Sequence, residues 1–166
     1  MKLYHGSMVI VDAPRILTRS DGRGADFGAG FYTTSSYRQA VRWVHIRQSS
    51  SHPSPPGFVS IFEAPDNLLQ TPGLSIKVFT AATRAWLRFV WSNRNNPSFS
   101  HPYDIVKGPV ANDRVYATLT LWEGGFLSET QTVQRLKTFR LVDQFLFHTE
   151  AALRQLHFLQ ARQVAP

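Results

Sequence analysis

Short blocks of hydrophobic residues along the chain predict strands. Apolar side chains alternate with polar ones, or run together briefly, between stretches rich in Gly, Pro, Ser and Asn. We expect strands at residues 2–5, 58–62, 75–79, 103–107, 141–148 and 156–161. The fourth of these runs into Gly108-Pro109, a dipeptide that should break it.

Apolar residues at helical spacing predict helices between these strands. In the first predicted helix, apolar residues recur at helical spacing from Tyr37 to Val44, and the helix extends to about Gln48. Others are expected over residues 80–93, over 115–121, from 128, and over 149–155. The N-caps predicted for the helices are Ser35 or Ser36, Thr80, Asn112 or Asp113, Ser128 in a capping box with Gln131, and Thr149. Because helices and strands do not strictly alternate, the pattern favours an α+β fold over a doubly wound sheet.

The length of 166 residues predicts one domain spanning residues 1–166, with surface loops at 49–56 and 92–102. The start of the chain lacks the apolar core of a signal peptide. No apolar run approaches the roughly 18 residues that a membrane-spanning helix needs. We therefore expect no membrane contact, and a protein that is cytoplasmic or delivered into a target cell without a conventional signal peptide.

Charge and cysteine content narrow the possible partners. The chain carries 18 Lys and Arg against 11 Asp and Glu, a net charge of +7, which mildly favours an anionic target. It has no cysteine, so disulfides, thiolate metal ligands and a Cys nucleophile are excluded. Its six histidines show no metal-ligand spacing, and we expect no metal cofactor.

A glycine-rich segment, DFGAGFYTT at residues 26–34, is the most informative local feature. Gly28 and Gly30 precede Phe31 and Tyr32, and glycine allows both a positive φ and a close approach of the backbone to a ligand. The segment is either a turn that enters a strand or a ligand-binding loop. It matches neither a P-loop nor a dinucleotide-binding fingerprint.

Two further segments bring polar side chains to strand ends. In LYHGS, His5 precedes Gly6, which places an imidazole beside a bare backbone edge, although a lone histidine is more often structural. In YDIVKGPVAND, Asp104 lies at the strand, and Asn112 and Asp113 lie where a helix should start.

The late segment DQFLFHT predicts a strand with two different faces. Gln144, Leu146 and His148 share one face, and Phe145 and Phe147 share the other. The face with Gln144 either lines a polar cleft or is the wet side of an antiparallel sheet.

In their order along the chain, LYHGS, FGAGFYTT and DQFLFHT resemble the His–Tyr–Glu motifs of diphtheria-toxin-like and poly(ADP-ribose)-polymerase-like ADP-ribosyltransferases. YDIVKGPVAND followed by DQFLFHT resembles, more narrowly, a bacterial domain-of-unknown-function family assigned to that superfamily. The resemblance extends from His5 to about Phe158. It implies a split β-sandwich of two small, mainly antiparallel sheets with flanking helices and a cleft for NAD.

The resemblance assigns roles to individual residues. His5 matches the histidine that binds the adenosine-side ribose of NAD, and the backbone of Gly6 matches the site of the nicotinamide carboxamide. Tyr32 matches the aromatic residue that stacks on nicotinamide, with Tyr37 as a second wall. The NAD-binding residues expected on this basis are His5, Gly6, Ser7, Gly28, Gly30, Phe31, Tyr32 and Tyr37.

Gln144 stands where the family's catalytic Glu would be. Gln can hydrogen-bond the ribose 2′-OH, but it cannot supply the negative charge that stabilises an oxocarbenium-like ribose. Asp143, Asp104 or Asp113 could supply that charge, and we expect it to come from Asp104 or Asp113. The predicted catalytic residues are His5, Tyr32, Gln144, Asp104 and Asp113.

The function that the resemblance implies is mono-ADP-ribosyl transfer, with NAD as co-substrate and a protein or nucleic acid as acceptor. A toxin or effector role, with a neutralising antitoxin or immunity protein, would fit such an activity. An NAD glycohydrolase and a catalytically weak module that binds NAD or nucleic acid are the alternatives. For the last, the second predicted helix offers a possible stacking platform, although Trp86 at helical spacing is more often part of the core; the platform would consist of Arg84, Arg88, Arg94, Trp86 and Trp91.

Overall fold

A computed structural model describes residues 1–17, 25–49, 55–111, 113–139 and 141–165, although not the side chains of Asp113 and Arg114. These residues form two small sheets and five α-helices, which confirms the predicted α+β class. The strands are β1 (Lys2–Ser7), β2 (Phe31–Thr33), β3 (Gly57–Glu63), β4 (Ile76–Val78), β5 (Ile105–Pro109), β6 (Asp143–Phe147) and β7 (His157–Val164). The helices are α1 (Tyr37–Gln48), α2 (Arg84–Asn95), α3 (Asp113–Glu123), α4 (Glu129–Lys137) and α5 (Glu150–Leu153). None of the helices in the described ranges is long and apolar enough to cross a bilayer.

The two sheets are nearly independent hydrogen-bonded units. The first has the order β1-β3-β7 and is antiparallel throughout. The second has the order β2-β6-β5-β4 and is antiparallel except for the parallel pair β4–β5. An isolated bridge joins them, in which the backbones of Tyr4 and Thr34 exchange hydrogen bonds of 2.9 and 3.0 Å.

Both faces of the second sheet are covered by hydrophobic residues. Leu146 of β6 packs with Trp86, Val106 and Leu136 beneath α2, α3 and α4. Phe145 and Phe147 of the same strand belong to a second cluster on the other face. The face of β6 that carries Gln144 is therefore not the wet side of a sheet, and that interpretation is wrong.

Local capping fixes several helix starts. The Ser36 hydroxyl accepts from the Gln39 N–H, and Ser128 forms the predicted capping box with Gln131. The predicted cap at Thr149 is also confirmed. The cap predicted at Thr80 is wrong, because Thr83 accepts from the Trp86 N–H and α2 starts at Arg84. The cap predicted at Asn112 or Asp113 lies outside the described residues.

The strand β5 continues through the dipeptide expected to break it. Gly108 pairs with Gln144, and Pro109, the last residue of the strand, pairs with Asp143. Proline is tolerated there because its missing N–H falls at the strand end, while its carbonyl accepts from Trp86 Nε1 at 3.2 Å. The continuation carries the chain beside the start of β6, where Gln144 lies.

Candidate functional site

A cleft of about 220 Å³ lies between the two sheets. Three of the predicted catalytic residues, His5, Tyr32 and Gln144, line it, and so does Gly6. They come from β1, β2 and β6, which are far apart in the sequence, and the Tyr4–Thr34 bridge brings the first two strands together. The cleft is therefore the candidate functional site.

His5 presents a hydrogen-bond acceptor to the cleft. Its Nδ1 lies 2.7 Å from the Tyr32 carbonyl oxygen, which can only accept, so Nδ1 carries the proton. Burial lowers the pKa of the His5 imidazole, and the nearby Arg47 charge lowers it further against that hydrogen bond. Near neutral pH the ring is uncharged, and Nε2 is free of a proton and able to accept from a hydroxyl group.

Gly6 offers a backbone donor and acceptor on the same edge. Tyr4 directs its N–H and C=O toward Thr34, and in a strand the residue two positions on directs its own groups to the same side. A Cβ on Gly6 would lie 2.2 Å from the Ala40 carbonyl oxygen, so only glycine allows α1 to pack this closely against β1. The cleft is thus bordered by a bare stretch of backbone.

Tyr32 forms a rigid aromatic wall. Its hydroxyl donates to the Gly28 carbonyl at 2.8 Å and accepts from the Phe27 N–H at 3.1 Å. Burial raises the pKa of this phenol well above its usual value, and the negative charge of Asp26 raises it further. The hydroxyl is therefore fixed in its neutral form, and the ring is held in place by the glycine-rich segment.

Gln144 is joined to a buried carboxylate that the sequence analysis did not single out. Its Nε2 donates to Asp26 Oδ2 at 2.8 Å and to the Pro109 carbonyl at 3.3 Å. Asp26 lines the cleft although it is only 6% exposed. The Ala111 N–H also donates to Asp26 Oδ2, at 3.1 Å. An amide and a carboxylate thus occupy the end of the cleft as one unit.

Burial dominates the electrostatics of Asp26. It raises the pKa of the carboxyl group, whereas the hydrogen bonds from Gln144 and Ala111 and the charge of Arg94 act in the opposite direction. Tyr116 points its hydroxyl at the other carboxylate oxygen from 3.5 Å. Such a desolvated, partly compensated carboxylate is typical of functional sites.

One face of α1 forms the opposite wall. Gln39, Trp43 and Arg47 all line the cleft, and their spacing of four residues places them in a row along the helix. The sequence analysis did not assign them a role. The helical spacing could have indicated them, because each comes directly before one of the buried residues of the same helix, Ala40, Val44 and Gln48.

Of the two predicted catalytic aspartates, the structure places Asp104 away from the cleft. Asp104 accepts hydrogen bonds from the Ser75 N–H at 2.7 Å and the Thr149 hydroxyl at 2.6 Å, and it does not line the cleft. These bonds lower the pKa of its carboxyl group, the Thr149 bond most. The side chain of Asp113 lies outside the described residues. Within them, Asp26 is the carboxylate that lines the cleft.

Several predicted NAD-binding residues also lie outside the cleft lining. Tyr37 packs edge-on against Tyr4 at 5.5 Å, and the Ser7 hydroxyl donates to the Val9 carbonyl. Phe31 is buried in the core, with its ring 4.4 Å from that of His5. The second wall expected from Tyr37 is instead formed by Trp43, six residues further along α1.

The two loop glycines serve packing. Gly28 has φ 95° and Gly30 has φ 142°, and neither lines the cleft. A Cβ on Gly28 would lie 2.8 Å from Asn93 Oδ1, and one on Gly30 would lie 2.5 Å from the Phe147 carbonyl oxygen. Of the two interpretations of the segment, the turn that enters a strand describes the glycines, whereas Asp26, Tyr32, Thr33 and Thr34 of the same segment line the cleft.

Comparison with known protein families gives a match over almost the whole chain. Residues 1–158 match the family described as "Protein of unknown function (DUF3990)". The chain belongs to this family. No curated protein matches it.

In this DUF3990 chain two neighbouring histidines hydrogen-bond to backbone carbonyls of the glycine-rich segment. His101 Nε2 lies 2.8 Å from the Phe27 carbonyl, and His148 Nδ1 lies 2.6 Å from the Ala29 carbonyl. The two ring centroids are 4.5 Å apart. His148 therefore has a structural role here, and together the two rings fix the backbone that holds Tyr32.

We expect the melting temperature to fall as the pH drops below about 6.5. Burial lowers the pKa of His101 and of His5 in the folded chain, so the unfolded chain takes up protons first. Their stabilising contribution is complete above 6.5 and is lost below it. His101→Gln keeps an N–H donor for Phe27 but cannot titrate, and it should flatten this fall in thermal melts at about pH 7.5 and 5.5. The exposed His157→Gln is the control, and equal flattening by both variants would contradict the assignment.

Proposed function

We propose that the protein is an NAD-dependent mono-ADP-ribosyltransferase that transfers ADP-ribose from NAD to a macromolecular acceptor. The observation that carries the proposal is the Asp26–Gln144 pair at the end of a cleft lined by His5 and Tyr32. The two small, mainly antiparallel sheets on either side of that cleft agree with the split β-sandwich that the sequence resemblance implies.

The cleft residues fit the nicotinamide half of NAD. A carboxamide carries one acceptor and N–H donors, which complement the N–H and C=O of Gly6 on the cleft edge. The fixed ring of Tyr32 offers a flat surface for an aromatic ring. His5 Nε2 can accept from a ribose hydroxyl. Because about 220 Å³ is below the roughly 300–1,000 Å³ typical of complete ligand pockets, the rest of the dinucleotide would extend past Trp43.

The chemistry needs a negative charge close to the ribose. The bond between the nicotinamide nitrogen and ribose C1′ breaks, and its electron pair leaves with nicotinamide, so positive charge develops on the ribose. Asp26, which is only 6% exposed, supplies a fixed opposing charge at a buried position where solvent screens it little. Gln144 uses Nε2 to hold Asp26, and its amide oxygen has no partner among the described residues and can accept from the 2′-OH. The acceptor nucleophile then bonds to C1′ and releases its proton.

The test is NAD consumption by the purified protein. NAD labelled in its adenylate phosphate is incubated with the protein alone and with cell lysate pretreated with nuclease or protease. We expect labelled macromolecule and free nicotinamide. Free ADP-ribose without labelled macromolecule would indicate a glycohydrolase, and unconsumed NAD in every arm would overturn the proposal.

Two substitutions at Tyr32 provide a matched pair for this assay. Tyr32→Phe keeps the ring and should keep turnover within about threefold, while the lost hydroxyl bonds reduce stability by about 1–2 kcal/mol. Tyr32→Leu keeps an apolar side chain but removes the flat surface, and it should raise the KM for NAD about tenfold or more. Equal turnover by both variants would show that the ring does not contact the substrate.

A further inference from the structure

The carboxyl group at the end of the cleft needs a compensating positive charge to stay ionised. Burial raises the pKa of Asp26, and the proposed reaction uses its negative charge. Hydrogen bonds from Gln144 and Ala111 compensate for burial in part, but both donors are neutral. The position of a nearby cation therefore decides how far the carboxylate resists protonation.

Arg94 supplies such a cation from the far side of an aromatic ring. It lies in the last turn of α2, and its Cζ is 4.1 Å from the ring centroid of Tyr116 on α3. The Tyr116 hydroxyl lies 3.5 Å from Asp26 Oδ1. Tyr116 and Asp26 line the cleft, whereas Arg94 does not. A cation, a phenol and a carboxylate are thus connected in series, and the series ends at the site.

The guanidinium group of Arg94 lacks a full set of hydrogen bonds. Its Nη1 is buried and has no hydrogen-bond partner. Among the side chains that the structure describes, no carboxylate forms an ion pair with it. An unpaired buried N–H of a cation costs free energy, so packing against Tyr116 does not by itself account for an arginine at this position. An effect of its charge on the buried carboxylate does.

The other basic side chains of α2 have different partners. Arg84 and Arg88 lie 3.5 and 2.9 Å from the carboxylate oxygens of Glu129, so an acid offsets their charges at the surface. Trp86 is fully buried, which confirms it as a core residue and removes the central ring of the stacking platform considered for this helix. Of the three arginines of α2, Arg94 is the one that acts on the cleft.

Tyr116 transmits the charge of Arg94 as well as separating it from Asp26. A cation over the face of a phenol ring polarises the ring, and in a buried series of contacts this makes the hydroxyl a stronger donor. That hydroxyl faces Oδ1 of Asp26, while Gln144 and Ala111 both donate to Oδ2. Both carboxylate oxygens are therefore stabilised, and the guanidinium group stays outside the cleft lining.

The other titratable and charged groups around the cleft do not take this role. Burial keeps the Tyr32 hydroxyl of β2 in its neutral form and lowers the pKa of His5 on β1, which is uncharged near neutral pH. Arg47 of α1 lines the cleft, but the cation that lowers the pKa of Asp26 is Arg94.

We propose that Arg94 is a positioning residue that holds Asp26 in its ionised form through the ring and hydroxyl of Tyr116. The consequence for catalysis rests on the proposed function, whereas the ionisation of Asp26 can be measured without it.

The titration of Asp26 tests this role in the absence of NAD. Protein isotopically labelled at the aspartate carboxyl carbons is titrated by NMR, and the resonance missing from Asp26→Asn belongs to Asp26. Arg94→Met keeps an unbranched side chain against the ring but removes the charge, and it should raise the midpoint by about one pH unit or more. Arg88→Met removes an exposed arginine from the same helix and should change the midpoint by less than about 0.3 unit.

Two further variants separate charge from packing and from the phenol. Arg94→Lys keeps a cation over the ring and should show at most half of the shift seen in Arg94→Met. Tyr116→Phe keeps the ring but removes the hydroxyl, and it should also raise the midpoint. Arg94→Met added to Tyr116→Phe should then have a smaller effect than it has in the native chain.

Three results would overturn the proposal: an unshifted midpoint in Arg94→Met, an equal shift in Arg94→Lys, or additive effects of Arg94→Met and Tyr116→Phe. Melting temperatures check that each variant is folded, and Arg94→Gln replaces Arg94→Met if the latter melts below the temperature of the titration. If NAD is consumed, the rise of turnover with pH should move with the same midpoint. A shifted midpoint without NAD consumption by the native chain would leave Arg94 assigned and would refute only the proposed transferase activity.

Discussion

An Asp26→Asn variant should consume NAD at least about a hundredfold more slowly than the native chain and should melt at the same or a higher temperature. The loss of rate follows because Asn cannot oppose the positive charge that develops on the ribose, and removal of one such electrostatic group typically lowers kcat by about 10²–10³. KM should change little, since the neutral amide keeps the shape of the site.

The stability of this variant follows from the direction of the pKa shift. Burial raises the pKa of Asp26 above its value in the unfolded chain, so the ionised carboxylate destabilises the folded chain at neutral pH. This destabilisation decreases as the pH falls through the folded pKa and the carboxylate takes up a proton. Asn retains an oxygen that can accept from Gln144 and Ala111 but carries no buried charge. Native turnover should accordingly rise with pH through the raised pKa of Asp26.

Asp104→Ala is the matched control, with the opposite expectation. Hydrogen bonds from Thr149 and Ser75 lower the pKa of this carboxyl group, so its stabilising contribution is present above about 4 and is lost as the pH falls through the folded pKa. Its removal should lower the melting temperature and leave kcat per folded molecule unchanged. A rate loss in Asp104→Ala together with normal turnover in Asp26→Asn would return the catalytic charge to Asp104.

A Gly30→Ala substitution should destabilise the fold by about 3 kcal/mol or more, measured by urea unfolding. The residue has φ 142°, and a Cβ would lie 2.4 Å from Leu146 Cδ1 and 2.5 Å from the Phe147 carbonyl oxygen. The leucine side chain can move, but the backbone oxygen belongs to a buried strand. Backbone strain and overpacking each contribute about 1–3 kcal/mol.

Gly73→Ala separates these two contributions. Gly73 has φ 80°, and a Cβ there meets no atom within 4 Å, so only the backbone strain remains. Its effect should be about 1 kcal/mol. If Gly30→Ala and Gly73→Ala lower the free energy of unfolding equally, close contact with β6 is not the reason that glycine is required at position 30.

The parts of the fold that the sequence predicted well are those decided by neighbouring residues. Ser36 and Ser128 cap their helices because each hydroxyl needs only an N–H three positions later. The start of α2 was placed wrongly because Thr80 and Thr83 are equally suitable caps by sequence, and packing of Trp86 selects the second.

The candidate site shows the same limit more sharply. His5 and Tyr32 belong to short motifs, and the cleft brings them together as expected. Asp26 was missed because its partner, Gln144, is 118 positions away, and nothing local marks an aspartate before a glycine-rich turn as buried. Asp104 was one of the two aspartates expected to supply the charge, but its hydrogen bond to the Thr149 hydroxyl joins residues 45 positions apart and could not be read from the sequence.

The Tyr4–Thr34 bridge makes the cleft a seam between two separately hydrogen-bonded halves. Between β1 and the segment of β2, the structure gives the two Tyr4–Thr34 backbone hydrogen bonds and the bond from His5 Nδ1 to the Tyr32 carbonyl. Within each sheet, by contrast, neighbouring strands are paired along their length. Backbone hydrogen bonding across the site is therefore sparse, and the two sheets share instead a buried hydrophobic cluster with Leu3 of β1, Phe31 of β2 and Phe147 of β6. A ligand that contacts both sheets would join them across the cleft. Because it binds only the folded chain, its binding would raise the free energy of unfolding.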